Sequence, residues 1–287
     1  VAHSFPTRRS SDLEVETIVR SLRDGGQFGP TVLNRRVDAV YVDWPRTIAE
    51  PEAESFQGLI LGRRITAVSR RGKHIVLQLD EGFLVIHLRM SGDLRVEEAF
   101  DAAGKAVPFR KHDRVGLTFS DGYRMVFHNP RKFGRMWLTD ETSHLFQKLG
   151  PEPLDPSLTG ADFFAMLQNH KRQVKPLLMD QSFLAGMGNI YTDEALFAAR
   201  IHPLTISNHI SPEQAQVLLE KIRSVLQEGI RRNGSSIDWA YRGGTFQNQF
   251  QVYQRTGEDC PVCGTEIERI VVGQRGTHLC PHCQPLH

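Results

Sequence analysis

At 287 residues the chain has room for about two domains of the usual ~150 residues, each with its own core, which excludes a peptide hormone or a disulfide knot. Hydrophobic residues at 40% and charged residues at 24% exclude a disordered chain, and no apolar run approaches the roughly 20 residues of a membrane helix. Net charge is only +2, from 35 basic and 33 acidic residues, but its distribution is uneven. Residues 56–79 hold Arg63, Arg64, Arg70, Arg71 and Lys73 with no acidic residue, and residues 105–135 hold eight Lys/Arg against Asp113 and Asp121. Such segments suit a polyanionic partner, or else a solvated basic face.

The first predicted element is an amphipathic helix over residues 14–24, with Val15, Ile18, Val19 and Leu22 on one face and Ser11 and Glu14 disposed as a capping box. Seven short β-like runs follow, at 37–42, 65–69, 74–79, 83–88, 115–119, 123–128 and 134–138. Turns such as Asp80-Glu81-Gly82 and Ser120-Asp121-Gly122 separate them, which predicts a sandwich or barrel. The proline-punctuated segment Leu149-Gly-Pro-Glu-Pro-Leu154 closes this half and serves as a linker. Helices are predicted next, over 161–168, 173–181, 190–200 and 211–232, the last with Pro212 at its first position. Between two of them, Ala185-Gly-Met-Gly-Asn189 forms a glycine turn at a helix N-terminus, a place where backbone amides hold phosphate.

All four cysteines lie near the C-terminus as Cys260-Pro-Val-Cys263 and Cys280-Pro-His-Cys283, sixteen residues apart. This is the spacing of a four-thiolate zinc site, and the lack of any other cysteine argues against the alternative of two disulfides. With no ligand position left for water the zinc is expected to be structural, and His278 and His282 are expected at the surface or behind the ligands.

Several motifs together resemble the formamidopyrimidine-DNA glycosylase family. They are Glu14-Val-Glu-Thr17, Arg70-Arg-Gly-Lys73, His87-Leu-Arg-Met-Ser-Gly92, Lys111-His-Asp113, Asn129-Pro-Arg-Lys-Phe-Gly134, Leu149-Gly-Pro-Glu-Pro-Leu154, Gly186-Met-Gly-Asn-Ile-Tyr191, and the cysteine module with Gln274-Arg275. The related endonuclease-VIII-type enzymes share the architecture, but the Glu-Val-Glu-Thr start and the segment 234–248 fit the purine-directed branch better.

The resemblance implies an α+β multidomain fold. A two-sheet β-sandwich flanked by helices spans 14–148, the linker 149–154, a helix-two-turn-helix DNA-binding domain with a lesion lid 155–248, and a four-cysteine zinc finger 249–287. It implies removal of oxidised purines such as 8-oxoguanine and formamidopyrimidines from double-stranded DNA, with strand nicking at the abasic site. A monomer in the bacterial cytosol, with one Zn²⁺ and no membrane contact, is expected. A base must leave the duplex to be attacked, and the gap must be filled. By resemblance Met90, Arg131 and Phe133 are the fillers, while Lys73, His87, His112, Lys171 and Asn189 contact the DNA backbone. Lys171 competes for its place with His170 and Arg172. Arg275 is expected to clamp a phosphate and assist elimination, Tyr241 and Arg242 to belong to the lid, and Lys73 to offer an amine for chemistry at an abasic site.

One departure bears on catalysis. The family's nucleophile is an N-terminal proline followed by a catalytic glutamate, but the aligned positions here are Ser10 and Ser11, and the first thirteen residues look foreign to the fold. The expected function is therefore a bifunctional glycosylase and lyase by family, with a catalytically impaired lesion- or abasic-site-binding protein as the alternative for the chain as written. A generic zinc-ribbon binder is the third possibility, and it ignores every motif outside residues 260–283.

Overall fold

The computed structural model describes residues 12–26, 28–232 and 246–286. The chain forms two compact units, one built on Glu14–Gln147 and the other on Lys148–Ile237 with Gly243–His287. Ser10, Ser11, Tyr241 and Arg242, and with Ser11 the expected first capping box, lie outside the described residues.

In the first unit α1 (Asp12–Asp24) buries Val15, Ile18, Val19 and Leu22, the face that the spacing marks out. The unit then runs through β1 (Val37–Val42), β2 (Ile48–Glu50), α2 (Ala53–Ile60), β3 (Ile65–Arg71), β4 (His74–Leu79) and β5 (Phe83–His87). It closes with β6 (Asp93–Glu98), β7 (Asp113–Phe119), β8 (Tyr123–His128), β9 (Arg135–Thr139) and the single turn α3 (Ser143–Phe146). A four-stranded sheet, β1-β7-β8-β6, and a five-stranded sheet, β2-β9-β5-β4-β3, contribute to one apolar core. Pairing is antiparallel except between β2 and β9.

Nine strands therefore replace the seven expected. β2 has only three residues, and β6 buries Leu94 and Val96 in alternation with Asp93, Arg95 and Glu97, a run of two apolar residues among four charged ones. α2, also unforeseen, rests on one buried pair at i, i+4, Phe56 and Ile60.

The second unit packs α4 (Gly160–Gln168), α5 (Val174–Leu178), α6 (Asn189–Ala198) and α7 (Pro212–Arg231) around a separate core that includes Phe163, Leu178, Tyr191 and Leu219. Reciprocal capping boxes, Thr159 with Asp162 and Ser211 with Gln214, start α4 and α7. α5 is shorter than the expected 173–181 because the Asp180 carboxylate accepts hydrogen bonds from the Ser182 backbone N–H (3.1 Å) and hydroxyl (2.7 Å), a local turn that competes with the helix. The unit ends in a two-stranded hairpin, β10 (Glu268–Val272) and β11 (Arg275–Leu279), with a small core of Phe197, Val252, Ile267 and two cysteines.

Candidate functional site

In the first unit the expected DNA contacts lie at strand ends. Lys73 occupies the two-residue loop between β3 and β4, after Gly72 at φ +53°, the left-handed place that favours glycine in such hairpins. It is buried at 9% exposure and followed by His74, whose ring meets that of His87 edge-on at 4.6 Å. His87 ends β5, and its Nδ1 accepts a hydrogen bond from the Arg89 backbone N–H (3.0 Å).

Three further loops are joined through Asn129, which is fully buried. Its backbone N–H donates to the His112 carbonyl (2.9 Å), its own carbonyl accepts from the Lys132 N–H (3.2 Å), and its Oδ1 accepts a long 3.5 Å bond from Ser91 Oγ. The loops of Met90, of His112 and of Arg131 and Phe133 thus share one anchor. Gly134 is required beside it, since a Cβ there would lie 2.3 Å from Phe127 Cζ and 2.6 Å from Asn129 Nδ2. Lys132 at φ +59° turns the chain so that Arg131 and Phe133 face solvent, with the guanidinium 5.7 Å from the ring centre. Phe133 is 51% exposed, which removes it from the core where a phenylalanine in a β-like run is usually found. Met90 is half-buried.

The basic run 105–135 is less positive than its count. Glu97 pairs with Arg95, Arg110 and Arg124, while Asp43 pairs with Arg114. Asp113 accepts from Arg95 and His128, and these partners hold its carboxyl below the usual range despite burial. Among the described residues, Lys105, Lys111, Arg131, Lys132 and Arg135 in that run have no acidic partner, and Lys132 Nζ lies 3.8 Å from the Trp44 ring centre.

In the second unit Asn189 opens α6, and its Nδ2 donates to the Gly276 carbonyl (3.0 Å), next to Arg275 at the start of β11. Two expected contacts are thus brought together. The loop presenting Arg275 is a two-residue turn with Gly273 at φ +53° and Gln274 at φ +61°, the pair of left-handed conformations of a type I′ hairpin. Beneath it, fully buried Lys175 donates from Nζ to Asp193 (2.5 Å), Thr277 Oγ1 (2.7 Å) and the Gly276 carbonyl (3.3 Å). Burial pulls the Lys175 pKa down, and Asp193 opposes that shift. Asp193 also accepts from the His278 backbone N–H (3.0 Å) and ring (3.3 Å). His278 is therefore buried against Asp193 rather than at the surface, while His282 is exposed as expected. Glu194 accepts the backbone N–H groups of Gln251, Val252 and Tyr253, tying the chain before the finger to α6.

Lys171 is exposed and without an ion pair among the described residues, whereas Arg172 is engaged with Asp180 (3.0 Å) and His170 packs edge-on against Phe183. These occupations leave Lys171 the available cation of the three.

The sulfurs of Cys260, Cys263, Cys280 and Cys283 all lie within 4.8 Å of one another, with separations of 3.9 Å for Cys260–Cys283 and 3.5 Å for Cys263–Cys280. A tetrahedron with Zn–S bonds of about 2.3 Å has edges of about 3.8 Å, so the quartet fits one structural zinc ion. Arg275 at the start of β11 and Cys280 just past its end are five residues apart, roughly 17 Å at ~3.3 Å per residue, which sets the cysteine quartet apart from the hairpin tip.

Sequence reasoning missed the buried supports Arg114, Lys175, Asp193 and Glu194, and gave Asn129 no role. A lysine or glutamate in a helical pattern carries no mark of burial.

Comparisons with known proteins agree with this layout. The formamidopyrimidine-DNA glycosylase N-terminal domain matches residues 13–136, the H2TH domain of the same glycosylase residues 149–240, and a zinc finger found in FPG and IleRS residues 257–286. A formamidopyrimidine-DNA glycosylase of Chloroflexus aurantiacus is 44% identical over 279 residues, covering 94% of this chain and 96% of its own length. Another, from Chloroflexus aggregans, is 45% identical over 281 residues, with 95% and 98% covered. The solved structure of the Lactococcus lactis enzyme bound non-covalently to DNA containing an AP site superposes with a TM-score of 0.87 at 33% identity, covering 96% of this chain and all of that one. A β-sandwich, an H2TH domain and a zinc finger in this order define a class, the H2TH-type DNA glycosylases. Within it, the chain belongs to the formamidopyrimidine-DNA glycosylase family.

Proposed function

We propose that this chain excises oxidised purines from double-stranded DNA in base-excision repair and then cleaves the strand at the abasic site, acting as a monomer in the cytosol. The observation that carries this reading is the anchoring of three loops on Asn129, which presents Met90, Arg131 and Phe133 together. Filling the place of an extruded base needs an apolar wedge, a donor for the widowed partner and a stacking ring, and these are the three side chain types supplied. Lys73, Lys171 and Arg275 act on phosphates as charges, His87, His112 and Asn189 as hydrogen-bond donors.

Excision itself requires an amine to attack the sugar C1′ and a carboxyl group to protonate the sugar oxygen. Those roles fall on positions 10 and 11, which are serines. This favours a second reading, in which the chain as written binds the lesion without efficient excision.

Borohydride trapping on duplex DNA containing oxidised guanine tests both. A version beginning Pro-Glu-Leu-Pro before Glu14 is expected to form a covalent crosslink and the chain as written to bind without one. Equal crosslinking of the written chain, mapped to Lys73, would show that another amine serves, and no crosslink to either would sink the glycosylase assignment.

A further inference from the structure

Arg114 on β7 places three groups at once. Its Nε donates to the Asn129 carbonyl (3.2 Å), its Nη1 pairs with Asp43, and its Nη2 lies 3.0 Å from His112 Nδ1. A guanidinium has donors only, so the contact with His112 makes Nδ1 the acceptor. A neutral imidazole with an accepting Nδ1 carries its proton on Nε2.

We propose that Arg114 is a positioning residue that fixes His112 as the neutral Nε2–H tautomer, so that His112 meets a DNA phosphate as an uncharged donor. The proposal rests on the reading of His112 as a backbone contact given above. The charged surroundings act in the same direction. Arg114 and Lys111 flank His112, Lys132 approaches from the 129–134 turn, and His128 on β8 stands 6.0 Å away ring to ring. Loss of solvation and these cations lower the His112 pKa. The nearby acids are already engaged, Asp113 by Arg95 and His128, and Asp43 by Arg114. His87 shows the same arrangement from a different donor, the Arg89 backbone N–H on its Nδ1, and so provides an internal reference.

An uncharged donor has two consequences. It releases no counterion on binding, and it leaves its own contribution to affinity independent of pH through the range where a free histidine would gain a proton. The benefit is constancy, because a contact made by imidazolium would weaken severalfold between pH 6 and 8.

The test uses the full chain with ¹⁵N-labelled histidine and long-range ¹H–¹⁵N spectra from pH 5.5 to 8. His112 is expected to remain Nε2–H without titrating. Arg114→Met keeps the packed stem but removes the donors, and leaves Asp43 partly solvated at 39% exposure. In that variant His112 is expected to titrate within the range while His87 does not change. Fluorescence anisotropy with a short duplex bearing a stable abasic-site analogue is the second measurement. Affinity of the unmodified chain is expected to fall with log salt equally at pH 5.5 and 8. In Arg114→Met the slope at pH 5.5 is expected to steepen by about 0.9, one added counterion. His112→Asn is expected to weaken binding without altering the slope. A His112 that carries its proton on Nδ1, or is imidazolium at pH 6.5 in the unmodified chain, overturns the proposal even if Arg114→Met fails to fold. A His112→Asn variant that binds as the unmodified chain does refutes the phosphate contact alone and leaves the tautomer result standing.

Discussion

His74 illustrates how a single side chain sets a pH limit. It opens β4, directly after Lys73, with Nδ1 buried and without a hydrogen-bond partner among the described residues, against His87, Trp137 and Phe146. Burial lowers its pKa to about 4, with Arg89 contributing in the same direction. A folded-state value below the unfolded 6.5 means that the unfolded chain binds more protons between pH 6.5 and 4. The stability contributed is complete above pH 6.5 and lost as pH falls through that window, up to about 3 kcal/mol. His74→Phe keeps the ring contacts and removes the proton, so urea midpoints are expected to rise relative to the unmodified chain at pH 4.5 and to change little at pH 7.5. An equal change at both would assign the effect to packing. At this scale the sequence is legible where a motif overrides a residue's ordinary habit, as with exposed Phe133. It is not legible where a role depends on a partner far along the chain, as Arg114 depends on Asp43 and Asn129, 71 and 15 residues away.

Among the elements, the finger hairpin is held at both ends, by the cysteine quartet, one pair before β10 and one after β11, and by Lys175 and Asn189 beneath its turn. Breaking a buried pair leaves one charge without its partner, which typically costs 3–5 kcal/mol. Lys175→Met is therefore expected to destabilise the chain by about 4 kcal/mol in urea unfolding while retaining one zinc per chain, and to weaken binding of abasic-site duplex by loosening Arg275. Unchanged stability would mean that Asp193 is satisfied by His278 and water. The zinc module was legible because C-x2-C spacing constrains geometry within a few residues. Its docking was not, because Lys175 and Asp193 read as the polar positions of helices, and only the fold shows that α5 and α6 turn them inward. β6 escaped notice for a similar reason, its Arg95 and Glu97 being engaged in ion pairs across the sheet, with Asp113 and Arg124.

For the whole molecule, net charge is only +2, and although eight basic residues in one run suggest a large electrostatic footprint, ion pairs absorb Arg110, Arg114 and Arg124. If Lys73, Lys171 and Arg275 supply the charged phosphate contacts, log affinity should fall with log salt at a slope of about −3, whereas engagement of all eight residues of the 105–135 run would add about −7. Anisotropy titrations on lesion duplex across a salt series separate these cases. The sheet order has a different consequence, for synthesis. β2 is complete at Glu50 but its partner β9 ends at Thr139, and β1 waits in the same way for β7. At roughly 5–20 residues per second, the ribosome needs about 5–18 s to deliver the missing strand. During that interval the nascent meander β3-β4-β5 has an open edge at β5, the kind of edge that recruits other strands. The order in which the strands are made, more than their individual sequences, therefore sets when this unit most needs protection from its neighbours on the polysome.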